Sequence, residues 1–182
     1  MSFISNLDEA SIMFDQENQK QKQYSRPKQS ALSYSLMLIK IRLRSEHELV
    51  KKMTEKNYLE DEIKKVIADL KNVDLINDER FAKMWLLTQN NIRPSGKQYL
   101  IFKMKHFGLS KEIIENAFAE LDEEFDELIL AKKLLESKKR SFMRFEKHKK
   151  KEKMLALLIR RGFCYSVAKE VVEEIKDEIS NF

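Results

Sequence analysis

Residues 49–70, LVKKMTEKNYLEDEIKKVIADL, contain the pattern that decides the fold. Their apolar members recur at spacings of three, four and seven, which is typical of one face of a helix; they are Leu49, Met53, Tyr58, Ile63, Val66, Ile67 and Leu70. Asn57 interrupts the pattern, and asparagine tolerates the left-handed backbone conformation that often ends a helix. The stretch therefore predicts a helix, a tight turn and a second helix.

The same pattern recurs twice further along the chain. Shifted by 51 residues, the seven positions are Leu100, Met104, Leu109, Ile114, Ala117, Phe118 and Leu121. Another 54 residues on, they are Met154, Leu158, Phe163, Ala168, Val171, Val172 and Ile175. Gly108 and Gly162 replace Asn57 at the turn, and glycine also tolerates the left-handed conformation. The residue after each turn is large and apolar, so we expect it to be buried beneath the turn.

A further helix is predicted before each of these pairs. Apolar residues at helical spacing occur within 31–41, 81–87 and 128–135. Ser45 and Ser95 each begin an S-x-x-E/Q sequence, which is typical of a capping box at a helix start. Each repeat is thus expected to be a three-helix unit whose local form resembles a helix-turn-helix.

The expected fold is all-α, with three tandem three-helix repeats at 30–76, 77–124 and 125–182. A unit of about 50 residues buries little surface alone, so we expect the units to stack into an elongated, curved array. Residues 1–29 are interpreted as a mobile N-terminal arm. An apolar part at 3–14 could form a short helix and is followed by a glutamine-rich stretch; an ordinary frayed terminus is the alternative.

Composition supports a helical protein and excludes several functional classes. The chain has only 3 Gly and 2 Pro in 182 residues, too few for the turns of a sheet protein or for a glycine-rich phosphate loop. Cys164 is the single cysteine, which excludes a disulfide and a CxxC zinc site. No apolar run is long enough to span a bilayer. We expect a cytoplasmic protein that does not bind membranes.

Basic residues concentrate on the predicted middle helices of the second and third units. We call the following ten residues the basic stripe: Arg93, Lys97, Lys103, Lys105, Lys149, Lys150, Lys151, Lys153, Arg160 and Arg161. Such a stripe can follow a phosphate backbone or face an acidic partner. The alternatives are a solvated face that maintains solubility and, for 138–153, a flexible loop between two helices.

The sequence predicts no catalytic, cofactor-binding or metal-binding site. The three histidines are isolated from one another, so no H-E-x-x-H zinc motif is present. Trp85, beside Ala82 and Leu86, favours core packing over base stacking. An extended groove without a pocket favours binding over catalysis, so we expect a protein that is not an enzyme.

Four motifs together resemble the RecX family of recombination regulators. They are SEHELVKKM at 45–53, NDERFA at 77–82 with Trp85, HFGL at 106–109 and RRGF at 160–163. They follow the order and spacing of the family across about 30–178. Asn77, where the family usually has an acidic residue, and the lysine-rich third unit are departures.

The resemblance implies a modulator, mainly an inhibitor, of the RecA recombinase. Family members are thought to lie in the groove of the RecA–DNA filament and to restrain ATP hydrolysis, strand exchange and co-protease activity, which regulates DNA repair and the SOS response. It implies a RecA filament as protein partner, with DNA contacted weakly or through the filament. We expect a monomer. The rival hypothesis is a stand-alone helix-turn-helix DNA-binding regulator. Its recognition helices would begin with acidic residues such as Glu60, which suit a polyanion poorly.

Overall fold

The computed structural model describes residues 28–121 and 125–179, so residues 1–27 of the predicted arm lie outside it. The described residues form helices without strands. In chain order these are α1 (Ala31–Ile41), α2 (Glu46–Glu55), α3 (Glu60–Asn72), α4 (Asp78–Ile92), α5 (Lys97–His106), α6 (Lys111–Glu120), α7 (Glu127–Phe142), α8 (Lys147–Arg160) and α9 (Tyr165–Ile179). The all-α prediction is confirmed.

The helices group into three units, each with its own core. Helices α1–α3 enclose a cluster around Leu49 and Met53, α4–α6 one around Leu100 and Met104, and α7–α9 one that includes Leu158. Every pair of helices with extensive packing belongs to a single unit. This confirms the tandem arrangement of three-helix repeats, whereas the exact unit boundaries stay predictions.

The turn between the second and third helix of each unit has the same left-handed residue. The φ angles of Asn57, Gly108 and Gly162 are 63°, 78° and 79°. The apolar residues that follow are buried, with exposed fractions of 9% for Tyr58, 5% for Leu109 and 2% for Phe163. Each turn therefore reverses the chain while anchoring it in the core of its own unit.

The two predicted capping boxes have different outcomes. The serine half of the first box is confirmed: Ser45 is the N-cap of α2, and its hydroxyl accepts a hydrogen bond from the Glu48 amide at 3.2 Å. The Glu48 carboxylate instead binds the Arg42 guanidinium. The prediction for Ser95 is wrong, because the N-cap of α5 is Gly96 and the buried Ser95 hydroxyl donates to the Arg93 carbonyl. The physical reason is the register of the repeat, because Gly96 is the position 51 residues after Ser45. A side chain at Gly96 would clash with the Gly162 backbone of the third unit, and the Gly96 amide donates to the Arg161 carbonyl at 2.9 Å.

Neighbouring units meet at two equivalent contacts, which we call joints. At the first joint, the start of α2 contacts the second unit: the Ser45 hydroxyl donates to the Phe107 carbonyl at 2.6 Å, and the Glu46 amide donates to Asp78 Oδ1 at 2.9 Å. A side chain thus satisfies a free amide at the start of a helix in the preceding unit.

The second joint repeats this geometry between the second and third units. The Gly96 amide donates to the Arg161 carbonyl, and the Lys97 amide donates to Glu127 Oε1 at 2.8 Å. Phe125, just before α7, packs against the cores of both units. The start of each earlier middle helix is therefore held by the turn and by the first-helix carboxylate of the next unit.

The lysine-rich region of the third unit is helical in its described residues. Helix α7 continues to Phe142, and four residues separate it from α8. Phe142 is buried in the core of the unit and Phe145 packs against it, so the flexible-loop interpretation of 138–153 does not hold. Helix α8 has 14 residues, compared with 10 each in α2 and α5. The additional turn lies at its start, over 147–150.

Candidate interaction surface

The basic stripe lies on α5, on α8 and in the segments that flank them. All ten of its side chains are exposed or partly exposed. Within the described part of the chain, only Lys151 among them forms a side-chain ion pair, with Glu173 of α9. The other nine therefore carry positive charge that no described carboxylate neutralises at close range.

Three members of the stripe align on the outer face of α8. Lys149, Lys153 and Arg160 are spaced by four and seven residues, which places them on one side of a helix. All three are exposed, and we call them the outer basic row. Lys151 lies elsewhere on α8, beside Glu173, and is separated from this row.

The lysines of α5 do not form a comparable row. Lys103 and Lys105 are two residues apart and therefore point to opposite sides of the helix. The Lys103 ammonium lies 5.7 Å from the centroid of the Tyr99 ring. The Lys97 ammonium lies 5.1 Å from the centroid of the Phe118 ring, within the range of a cation–π contact. The Lys97 side chain thus packs within the second unit, while its backbone amide binds Glu127 at the second joint.

The second joint brings the basic groups of two units together. Because the Gly96 amide binds the Arg161 carbonyl, the turn that carries Arg160 and Arg161 lies against the segment between Arg93 and Lys97. The backbone segments that carry these basic residues are distant in sequence but lie side by side at this joint.

The first joint has basic residues that sequence reasoning missed. Arg42 precedes Arg93 by the 51-residue repeat, a signal that was sufficient to find it. Its guanidinium binds both carboxylate oxygens of Glu48, at 3.0 Å and 2.5 Å, and this hydrogen bonding raises the pKa of Arg42. The position equivalent to Glu48 in the second unit is Tyr99, so the second joint lacks this neutralising carboxylate.

Arg44 has a structural role at the same place. Its side chain is largely buried, and its Nε donates to the Leu38 carbonyl at 3.2 Å. Burial is the main cause that lowers the pKa of Arg44. Arg44 therefore connects α1 to the start of α2 through a hydrogen bond, and little of its charged group is accessible to a partner.

Other residues singled out in the sequence have packing roles or surface positions. Trp85 lies edge-on to Phe107, with ring centroids 5.3 Å apart, and is partly buried against the second core. Cys164 is half-buried, with its sulfur 3.1 Å from the Ser166 hydroxyl. Phe102 on α5 is 65% exposed, an aromatic surface residue close in sequence to Lys103 and Lys105.

The described residues contain no cluster of three or more His, Cys, Asp or Glu side chains arranged to hold a metal ion. In the same part of the chain, none of the helices combines the length and the apolar character needed to cross a bilayer.

Comparison with known proteins identifies the relatives of this chain. A family model described as RecX, first three-helix domain, matches residues 31–70. A regulatory protein RecX from Finegoldia magna is 30% identical over 142 residues, covering 78% of this chain and 69% of that protein. One from Clostridium perfringens is 31% identical over 134 residues, covering 72% and 62%. The chain thus spans about two thirds of the length of these relatives.

Two solved structures share the fold. A crystal structure of regulatory protein RecX superposes with a TM-score of 0.68 at 24% identity, covering 79% of this chain and 71% of that one. RecX from Lactobacillus salivarius gives a TM-score of 0.64 at 22% identity, covering 79% and 93%. The shared architecture, together with the 30% identity to a relative over most of both chains, shows that this chain belongs to the RecX family of regulatory proteins.

Proposed function

We propose that this protein is a non-enzymatic modulator, mainly an inhibitor, of the RecA recombinase. It binds in the groove of the RecA–DNA filament and restrains ATP hydrolysis, strand exchange and co-protease activity. DNA is contacted weakly or through the filament. Membership of the RecX family supports the proposal.

The observation that carries the proposal is the contact of two basic segments at the second joint. The hydrogen bond from the Gly96 amide to the Arg161 carbonyl holds the turn with Arg160 and Arg161 against the segment that follows Arg93, although Arg160 lies 67 positions after Arg93 in the sequence. The outer basic row extends from Arg160 along α8. Exposed cations without carboxylate partners attract an acidic protein face or a phosphate backbone.

The tandem units also support binding to a repetitive partner. A filament presents the same surface many times, and contacts by one unit hold the next at a high effective concentration. The joints fix the relative placement of neighbouring units through backbone hydrogen bonds. Several weak contacts can then add up to stable binding without a deep pocket.

Titration of RecA ATPase activity on single-stranded DNA tests the role of the outer basic row. The test variant is Lys149→Glu/Lys153→Glu/Arg160→Glu. The control is Lys64→Glu/Lys111→Glu/Lys169→Glu, which makes the same change in net charge at exposed positions of the third helices. At about 1 kcal/mol for each lost surface contact, and 1.4 kcal/mol per tenfold, the half-inhibitory concentration should rise roughly 10- to 100-fold in the test variant.

The control variant should stay within about threefold of the unaltered protein, since its changes lie outside the basic stripe and the exposed pairs of Lys64 with Glu60 and Lys111 with Glu115 contribute little to stability. The test variant should also lose much of the salt dependence of inhibition. Equal effects of the two variants would show that the row serves only solubility.

A gel shift on bare DNA distinguishes the proposal from the helix-turn-helix rival. Weak, salt-sensitive binding without sequence preference is expected from a filament modulator. The exposed start of α3, where the Glu60 side chain is 80% accessible, is acidic and unsuited to the major groove. Sequence-specific nanomolar binding would instead support the rival.

A further inference from the structure

An open groove of about 410 Å³ lies in the first unit between the start of α1 and α3. Its walls come from 29–32, Tyr58 and the α3 residues Glu62, Lys65, Val66 and Asp69. Tyr58 and Val66 form an apolar floor, and the three charged residues form a polar rim. The groove is therefore suited to an apolar side chain whose neighbours remain in water.

The repeat shows what normally fills this position. In the second unit the residues equivalent to Tyr58 and Val66 are Leu109 and Ala117, and they share a core with Phe81, which is only 3% exposed. In the third unit the equivalents, Phe163 and Val171, share a core with Leu130, which is 5% exposed. Both units thus insert a large apolar residue from the first helix.

The first unit has no large apolar residue at the position equivalent to Phe81 and Leu130. Ala31, Ala82 and Ala131 are equivalent buried alanines, and the residue before Ala31 is Ser30. Ser30 is exposed and serves as the N-cap of α1. Helices α4 and α7 begin three residues before Phe81 and Leu130, whereas α1 begins only after Ser30. The groove is the space left by this missing turn and side chain.

Apolar surface continues from the groove along α1. Leu32, at the groove, is 42% exposed, and Leu36, one turn further on, is 41% exposed. Leu32 and Leu36 lie on the same side of the helix. An occupant that fills the groove can therefore also cover this side of α1.

The chain itself supplies a suitable occupant. The described residues begin at Lys28, at the edge of the groove, where the Tyr58 hydroxyl donates to the Gln29 carbonyl at 2.8 Å. The preceding residues include a set of six apolar side chains: Phe3, Ile4, Leu7, Ile12, Met13 and Phe14. The stretch from Phe14 to Lys28 can span about 45 Å when extended, compared with about 16 Å for the length of α1.

We infer that the apolar segment 3–14 of this chain packs into the groove of the first unit. It supplies, from an earlier part of the same chain, the side chain that Phe81 and Leu130 supply within their own units. Charged residues at the rim leave the polar side of the segment in water. The N-terminal arm is then a completing element of the first repeat.

Hydrogen–deuterium exchange of the full chain tests this inference. The test variant, Ile4→Asp/Leu7→Asp, places charges in the apolar segment. The control, Ser5→Asp/Asn6→Asp, introduces the same charge in the same segment at polar positions. Amides of α3 over 60–69 should exchange about tenfold faster in the test variant and unchanged in the control. Unchanged exchange in both variants would overturn the inference.

A spin label identifies the occupant directly. In a Cys164→Ser background, a nitroxide attached at Ser2→Cys should broaden the amide signals of Glu62, Lys65 and Asp69 more than that of Lys169 on α9. Broadening that appears only between labelled and unlabelled molecules would assign the groove to a second copy. If the α3 amides were protected from hydrogen exchange only after RecA–DNA filaments are added, the groove would be assigned to the filament. Either result would contradict docking within one chain.

Discussion

At the scale of single residues, the three turns differ in what surrounds them. A Cβ atom built on Gly108 would lie 2.3 Å from the Cβ of His47, and one on Gly162 would lie 2.5 Å from the Cβ of Tyr99. Each contact is with the preceding unit, at a joint. No described unit precedes the turn at Asn57, so this position accommodates a side chain. Glycine is thus required at the two covered turns for space as well as for backbone angle.

The alanine variants of these turns should therefore differ in stability. Asn57→Ala should lower the free energy of unfolding by about 1 kcal/mol, because alanine tolerates the left-handed conformation less well. Gly162→Ala should lower it by about 3 kcal/mol or more, since the added methyl group also clashes across the second joint. Urea denaturation measures both. If both variants lost the same free energy of unfolding, the clash expected at Gly162 would have no effect on stability.

At the scale of helices, the joints depend on carboxylates placed at helix starts. Asp78 and Glu127 each bind the first amide of a middle helix in the preceding unit. The positive end of the helix dipole favours a negative charge there. Burial acts in the opposite direction, because it disfavours the charged form of the Asp78 carboxyl. It is the largest cause of the shift in the pKa of Asp78, which is raised above its ordinary value. The joint therefore retains a hydrogen bond at the cost of a partly desolvated charge.

Asp78→Asn and Asp78→Ala separate these two effects. A raised pKa in the folded state means that the contribution of Asp78 to stability is full below its unfolded pKa and is lost as the pH rises through its folded pKa. Asp78→Asn keeps an acceptor without the charge, so its stability relative to the unaltered protein should increase as the pH rises from about 3 to about 7. Thermal unfolding across this range measures the change.

Asp78→Ala provides the control for the hydrogen bond. Relative to Asp78→Asn, it leaves the Glu46 amide without a side-chain acceptor, which should cost about 1 kcal/mol throughout the pH range, since neither variant has a titratable group at position 78. If the stability of Asp78→Asn relative to the unaltered protein decreased with rising pH, burial could not be what raises the pKa of Asp78.

At the scale of the whole molecule, three separate cores are linked by joints with few contacts. The extensive helix packing lies within the units, whereas the joints consist of a few hydrogen bonds between backbone and side-chain groups, the close approach of the turn glycines and the packing of Phe125. In such an array the stability is a sum of unit terms and nearest-neighbour terms. The units are therefore expected to open partly independently of one another.

Leu158→Ala tests this expectation in the third unit. Leu158 is fully buried, and its truncation should destabilise that unit by about 2–5 kcal/mol. Hydrogen exchange should show this loss of protection in α7–α9, while α1–α3 should lose less than about 1 kcal/mol, because no extensive packing joins the two units. Equal losses in all three units would show that the chain unfolds as one cooperative body.

The helices, the turns and the threefold repeat were predictable from the amino-acid sequence alone. Helix faces and left-handed turns depend on residues close together in the chain, so spacing reports them directly. This local information located Gly108 and Gly162 and the buried residues that follow the turns. It also located the cations of the basic stripe, because the side-chain type determines the charge.

Contacts between units were decided only by the tertiary structure. The N-cap at Gly96 in place of Ser95, the pairing of Arg42 with Glu48 and the contact of Gly96 with Arg161 all involve groups positioned by packing. Sequence therefore determined the repeating unit, and the stacking of units determined which charges share a surface, because distances across a joint follow from the packing of entire helices.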